Sequence, residues 1–138
     1  MGLLDDMGIK VAAISSDYTL GTNVFLSNLP ETPDVCTVLI ENGGTTGQYT
    51  LGSDGLPEWE NQSLQFIHRN PVYSTGRTAS DLIYRTLTAI VNETINSDYY
   101  LRIEAIGVPS VFQRDDTRRV LFTCNFDVMR QTPASAGG

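Results

Sequence analysis

The fold of this chain is indicated most clearly by one stretch, Arg118-Arg119-Val120-Leu121-Phe122-Thr123-Cys124-Asn125-Phe126-Asp127-Val128. Apolar residues occupy every second position along it, and they are Val120, Phe122, Cys124, Phe126 and Val128. Because successive side chains of a β-strand point to opposite faces, the alternation predicts a strand with one buried side.

A second strand is predicted just before this one, over residues 99–106, with Leu101, Ile103 and Ala105 on one face. We expect Pro109 to end it, because proline cannot donate a ladder hydrogen bond. Residues 113–117 are typical of a turn, so the last two strands are predicted to pair as an antiparallel hairpin.

An amphipathic helix is predicted upstream, over Ala79–Val91, with Ser74 or Thr75 as its N-terminal cap. Its apolar residues recur at steps of three and four, and they are Ala79, Leu82, Ile83, Leu87, Ile90 and Val91. This spacing places them on one stripe. The charged residues lie largely off the stripe, as expected for a solvated face: Arg77, Asp81, Arg85 and Glu93.

The first half contributes three more elements. Residues 3–16 show the spacing of a short amphipathic helix, and Val35–Ile40 is β-branched and apolar, as in a buried strand. Residues 63–69 alternate as a strand that Pro71 ends. A glycine-rich loop from 41 to 61 lies between the two strands, and loops of this length are usually functional or mobile.

The order of these elements predicts a single α+β domain over residues 1–130. We expect a mixed or antiparallel sheet of about four strands, with the helices packed on one face. The remaining residues, 131–138, are small and polar and are expected to form a flexible tail.

Composition excludes some classes of function. The 138 residues include one lysine, and the formal net charge is −7, which argues against a nucleic-acid-binding protein. No apolar run approaches the ~20 residues of a membrane span, and no signal peptide opens the sequence, so we expect synthesis in the cytoplasm. The low charged fraction, 18%, suits a surface that meets other proteins.

The sequence shows no catalytic constellation, and we expect neither an enzyme nor a cofactor nor a metal site. The segment Gly43-Gly44-Thr45-Thr46-Gly47 lacks the lysine and the following helix of a phosphate-binding loop. His68 lacks a neighbouring nucleophile motif, so a structural or interface role is favoured. Cys36 and Cys124 lie in apolar alternation and are expected to be buried thiols rather than a disulfide or metal ligands.

The candidate functional residues are therefore interface residues. The pair Asp115-Asp116, with arginines around it, is either a charged hairpin tip or a loop that forms salt bridges between subunits. Trp59 is either an interface residue or a core anchor for the long loop. The full candidate set is Gly43, Gly44, Gly47, Tyr49, Trp59, Arg114, Asp115, Asp116, Arg118 and Arg119.

The order of elements over residues 3–130 resembles the tail terminator, or tail completion, proteins of long-tailed bacteriophages. Those proteins are also described as minor capsid proteins. The acidic pair Asp115-Asp116 falls where the family often has an acidic turn. The long 41–61 loop and the acidic net charge are departures from the family pattern. The matching elements are Val35–Ile40, Gly43-Gly44, Phe66–Arg69 with Tyr73, Ala79–Val91, Ile103–Pro109 and Arg118–Val128.

The resemblance implies a virion protein that forms a six-fold ring on the tail tube. Such a ring ends tail polymerisation and offers a surface for head–tail joining. It implies the major tail tube protein and a head-completion or connector protein as partners, with DNA only passing through the lumen. The alternatives are another head–tail connector or neck protein, a small α+β enzyme or ligand-binding domain, and a structural or adaptor protein unrelated to phages.

Overall fold

A computed structural model of the chain describes residues 2–45, 59–115 and 117–131. Two helices and six strands follow one another along these residues. In chain order they are α1 (Leu3–Ala12), β1 (Val24–Leu26), β2 (Cys36–Thr45), β3 (Trp59–Asn70), α2 (Tyr73–Thr88), β4 (Val91–Ile95), β5 (Asp98–Arg114) and β6 (Val120–Gln131).

The strands form one sheet in the order β1-β2-β3-β6-β5-β4. Strands β1 and β2 run parallel, and every other neighbouring pair is antiparallel. The predicted α+β class, mixed sheet and terminal hairpin are confirmed. The expected count of about four strands was too low, because the short strands at both edges were not predicted.

Strand β4 was missed because the helix was expected to continue through Val91. Instead α2 ends at Thr88, and β4 turns into β5 through Asn96 and Ser97, whose φ angles are 51° and 72°. Two central residues with positive φ define the tight hairpin turn that matches the twist of paired strands. Asparagine tolerates this geometry, but the usual glycine signal is absent from the sequence.

Helix α2 differs from its prediction at its start and on its buried face. It begins at Tyr73, and neither Ser74 nor Thr75 caps it; the Val72 N–H donates to Asn70 Oδ1 at 2.9 Å. The residues that face the sheet are Gly76, Ser80, Ile83 and Leu87. Leu82, which was assigned to the apolar stripe, is 43% exposed.

Strand β5 continues past Pro109, contrary to expectation. Pro109 lies where the register slips between Ile106 and Ser110, so its missing N–H interrupts no regular ladder. A second irregularity follows Tyr100. As a result Tyr100 joins Ile103 in the core, and Leu101 does not.

Both helices pack on the same face of the sheet, and their buried residues share one core with β3 and β6. Helix α1 ends at Ala12 instead of residue 16. Strand β2 extends to Thr45 and β3 begins at Trp59, so both strands reach into the segment 41–61 that was expected to be a loop. Residues 46–58 lie outside the described residues. Both cysteines are free and buried, as predicted.

Candidate interaction surfaces

The turn between β5 and β6 is organised by Asp115. Its Oδ1 accepts the backbone N–H groups of Thr117 at 3.1 Å and Arg119 at 2.9 Å, and its Oδ2 accepts Arg119 Nε at 2.7 Å. Desolvation opposes the effect, but these hydrogen bonds lower the pKa of Asp115 below its ordinary value. Asp115 is therefore a carboxylate that shapes the turn, and Asp116 lies outside the described residues.

Arg119 joins this turn to a distant segment, residues 27–35. Its Nη1 donates to the Glu31 carbonyl at 2.6 Å and to Asp34 Oδ1 at 3.2 Å. Arg69 donates to the carbonyls of Pro30 and Pro33, each at 2.5 Å. The two buried guanidinium groups thus hold residues 27–35 over the sheet face opposite the helices. Nothing in the sequence indicated these long-range contacts.

Arg114 and Arg118 are different, because both are exposed. Their side chains form no hydrogen bond or ion pair with any described residue. Large apolar side chains are exposed beside them on β5: Val108 at 65%, Val111 at 42% and Phe112 at 45%. We call the described residues between 106 and 118 the arm. The arm presents exposed apolar side chains, and the two arginines at its tip pair with no described residue.

A groove runs along the solvent side of α2. Its open part, about 500 Å³, is lined by Tyr18, Ala79 and Leu82 together with Ser74, Thr75 and Thr78. It continues into a cavity of about 250 Å³, since Tyr18, Thr75 and Ala79 line both. The lining of the deeper part includes the polar residues Asp17, Asn23, Thr37, His68 and Asn70.

His68 is the buried end of this groove. Its Nδ1 lies 2.9 Å from Thr37 Oγ1, and its Nε2 has no hydrogen-bond partner among the described residues. Burial lowers the pKa of His68 to about 4, so the ring is neutral at neutral pH. Burial also raises the pKa of the Cys36 thiol, another lining residue, which is the opposite of an activated nucleophile. Among the described residues, no hydrogen bond joins His68 to Cys36 or to a carboxylate.

A buried carboxylate fastens α1 to the sheet. Asp6 accepts hydrogen bonds from the Tyr100 hydroxyl and, at 3.0 Å, from Asn96 Nδ2. Desolvation, reinforced by the nearby Asp98, raises the pKa of Asp6 to about 6. Asp6 therefore has a structural role, because its hydrogen bonds link α1 to the sheet. Among the residues that the structure describes, no three His, Cys, Asp or Glu side chains converge to hold a metal ion.

Trp59, Gly43 and Gly44 lie at the opposite end of the sheet from the arm. Trp59 starts β3, is half-buried, and places its ring 6.0 Å from that of Tyr99. Gly43 and Gly44 belong to the extended end of β2, where Gly44 pairs with Gln62. Gly47 and Tyr49 lie outside the described residues. The predicted interface residues thus divide between two ends of one sheet.

Within the described ranges, neither helix has the length and apolarity to cross a membrane.

Comparison with known proteins gives two findings. Residues 4–132 match a family described as bacteriophage tail terminator protein. A solved structure titled "Virion of native gene transfer agent (GTA) particle" contains a chain with the same fold, at a TM-score of 0.58 and 11% sequence identity. The match covers 94% of this chain and 95% of that one. No curated protein matches the sequence.

Proposed function

We propose that this chain, which belongs to the bacteriophage tail terminator family, closes into a six-fold ring on the end of the tail tube. Membership of this family makes the chain a structural protein of a phage tail. The proposed ring ends tube polymerisation and presents its far side to a head-completion or connector protein.

The observation that carries the proposal is the exposure of large apolar side chains on the arm. Ile106 and Val108 are 58% and 65% exposed, and Phe112 is 45% exposed. Large apolar side chains that are exposed together on one segment are typical of a surface that binds a partner. A ring subunit needs such a surface, because a head-to-tail contact must repeat between neighbours until the ring closes.

The two ends of the sheet also suit a subunit between two partners. The arm lies at one end, and the β2–β3 end with Trp59 lies at the other. In the proposed ring the arm contacts the neighbouring subunit, and the β2–β3 end remains available to another protein of the particle, the tail tube or the head connector. The net charge of −7 favours DNA passing through the lumen without adhesion.

Light scattering coupled to size-exclusion chromatography tests the ring directly, with and without purified tail tubes. We expect a species of six times the 15.1 kDa chain mass, formed alone or on tube ends. We also expect that tubes polymerised in the presence of the chain stop growing, as measured by electron microscopy. A strict monomer at all concentrations, even with tubes present, contradicts the proposal.

A further inference from the structure

The arm and the groove lie at the same end of the sheet but on opposite flanks. The arm tip begins where Arg114 of β5 pairs with Val120 of β6. Val120 also pairs with Asn70 at the end of β3. The deeper part of the groove is built around Asn70, His68 and Thr37, where β2 begins. Because β2 lies on one side of β3 and the β6–β5 pair on the other, the two surfaces face different directions.

The two surfaces match in chemistry. The arm combines exposed Val108 and Phe112 with the exposed cations Arg114 and Arg118. The groove combines apolar Tyr18, Ala79 and Leu82 with the carboxylate of Asp17, which lines its deeper part and is exposed. The Asp17 carboxylate makes no hydrogen bond or ion pair with any described residue. Among the described residues, no lysine or arginine lines either part of the groove, so none of the lining residues repels an arriving cation.

We propose that the groove beside α2 receives the arm of a second copy of this chain, with Arg118 of the arm paired to Asp17 in the deeper part of the groove. The inference rests on the proposed ring and specifies its lateral contact. Apolar arm residues cover Ala79 and Leu82, and the guanidinium enters the deeper part. A contact between two different surfaces of identical chains is heterologous, which is the kind that repeats around a ring.

His68 also favours the binding of a guanidinium group in the groove. In the tautomer whose Nδ1–H donates to Thr37 Oγ1, Nε2 is an acceptor that no described residue satisfies. A buried polar atom without a partner is unfavourable, so a donor supplied by the neighbour stabilises the assembled state. Arginine carries five N–H donors, enough to engage a carboxylate and still reach a second acceptor.

A charge-exchange cycle in the full chain tests this contact. Arg118→Glu and Asp17→Arg each place like charges across the interface, and the double variant restores opposite charges with the signs reversed. We expect each single variant to raise the concentration for half-maximal ring assembly about tenfold or more, as charge pairs across interfaces commonly contribute this much. We expect the double variant to bring this concentration most of the way back to the wild-type value.

Arg85→Glu and Asp127→Arg are the matched controls, because both residues are exposed and neither belongs to the arm or lines the groove. They change the net charge equally and should leave assembly unaltered. Assembly is read by native mass spectrometry, and binding to isolated tail tubes by sedimentation. Circular dichroism confirms that every variant is folded.

The outcomes separate the two proposals. If the wild-type chain forms rings but the double variant does not recover assembly, the arm-in-groove contact is overturned and the proposed ring still stands. If the single variants form normal rings but no longer sediment with tail tubes, the groove receives the tube protein. That result also overturns the arm-in-groove contact. A wild-type chain that never assembles, alone or on tubes, overturns both.

Discussion

Phe126 illustrates how a single residue in this chain serves the fold. It lies at the centre of β6, is fully buried, and places its ring 6.0 Å from Phe66 and 6.4 Å from Tyr84. The alternation along β6 predicted this position correctly, because a strand with one buried face has only one register that hides its apolar side.

We expect Phe126→Ala to lower the free energy of unfolding by roughly 3–5 kcal/mol, through lost burial and the cavity it leaves. Urea unfolding followed by circular dichroism measures the change. Phe112→Ala is the control, because Phe112 is 45% exposed and its loss should cost less than about 1 kcal/mol. Equal effects of the two substitutions would contradict the assigned core.

Asp6 is a residue whose burial affects stability through pH. Its pKa is about 6 in the folded chain and ordinarily 3.8, so between these values the folded chain binds a proton that the unfolded chain does not. The contribution of Asp6 to stability is therefore largest at low pH, and it is lost as pH rises through about 6.

We expect the stability of the wild type relative to Asp6→Asn to increase by roughly 1–3 kcal/mol when the pH falls from 7.5 to 4.5. Comparison with the variant removes contributions shared by both chains, including that of His68, whose pKa of about 4 has the opposite effect. Denaturant unfolding at four pH values measures the difference. A difference that stays constant with pH, or changes in the other direction, would show that Asp6 titrates normally.

At the scale of elements, α2 approaches the sheet most closely at Gly76. A Cβ at this position would lie 2.9 Å from Asn70 Cβ and would also overlap the ring of Phe122. Glycine in a helix normally lowers stability by about 1 kcal/mol relative to alanine. Here the close approach to Phe122 and Asn70 explains its presence.

We expect Gly76→Ala to destabilise the chain by roughly 1–3 kcal/mol despite the better helix propensity of alanine, because the buried ring of Phe122 and the Cβ of Asn70 must move. Gly8→Ala in α1 is the control. Its nearest neighbours are the side-chain ends of Leu20 and Leu26 at 3.1 Å, which can shift at little cost. Thermal unfolding compares the two, and a stabilised Gly76→Ala variant would argue against the close packing.

The edge strands show why some elements could not be predicted. Strand β1 has three residues and lies in a polar stretch, so its alternation is too short to recognise. Strand β4 follows α2 directly, and Ile90 and Val91 fit a helical stripe as well as a strand. Pairing with β2 and β5 stabilises both strands, and the identity of those partners is set only by the assembled sheet.

At the scale of the whole molecule, we predict that the segment between β2 and β3 contributes to binding and not to folding. Deleting part of residues 47–55 should leave the unfolding midpoint unchanged, because the β2–β3 pairing persists through Thr45 and Asn61. The same deletion should block joining to tail tubes or heads, measured by sedimentation. Removal of residues 132–138 is the control.

Loss of cooperative unfolding in that deletion would contradict this prediction, and so would undiminished joining.

Sequence alone determined the core strands, the main helix, the terminal hairpin, the buried cysteines and the tail terminator resemblance. Each follows from periodicity or order along the chain, which are local properties. The folded chain was needed to show that Asp115 and Arg119 bond to each other, while Arg114 and Arg118 remain exposed. Four neighbouring charged residues look alike in a sequence, and their roles diverge because residues 27–35, distant along the chain, fold back to accept the hydrogen bonds of only one of these arginines.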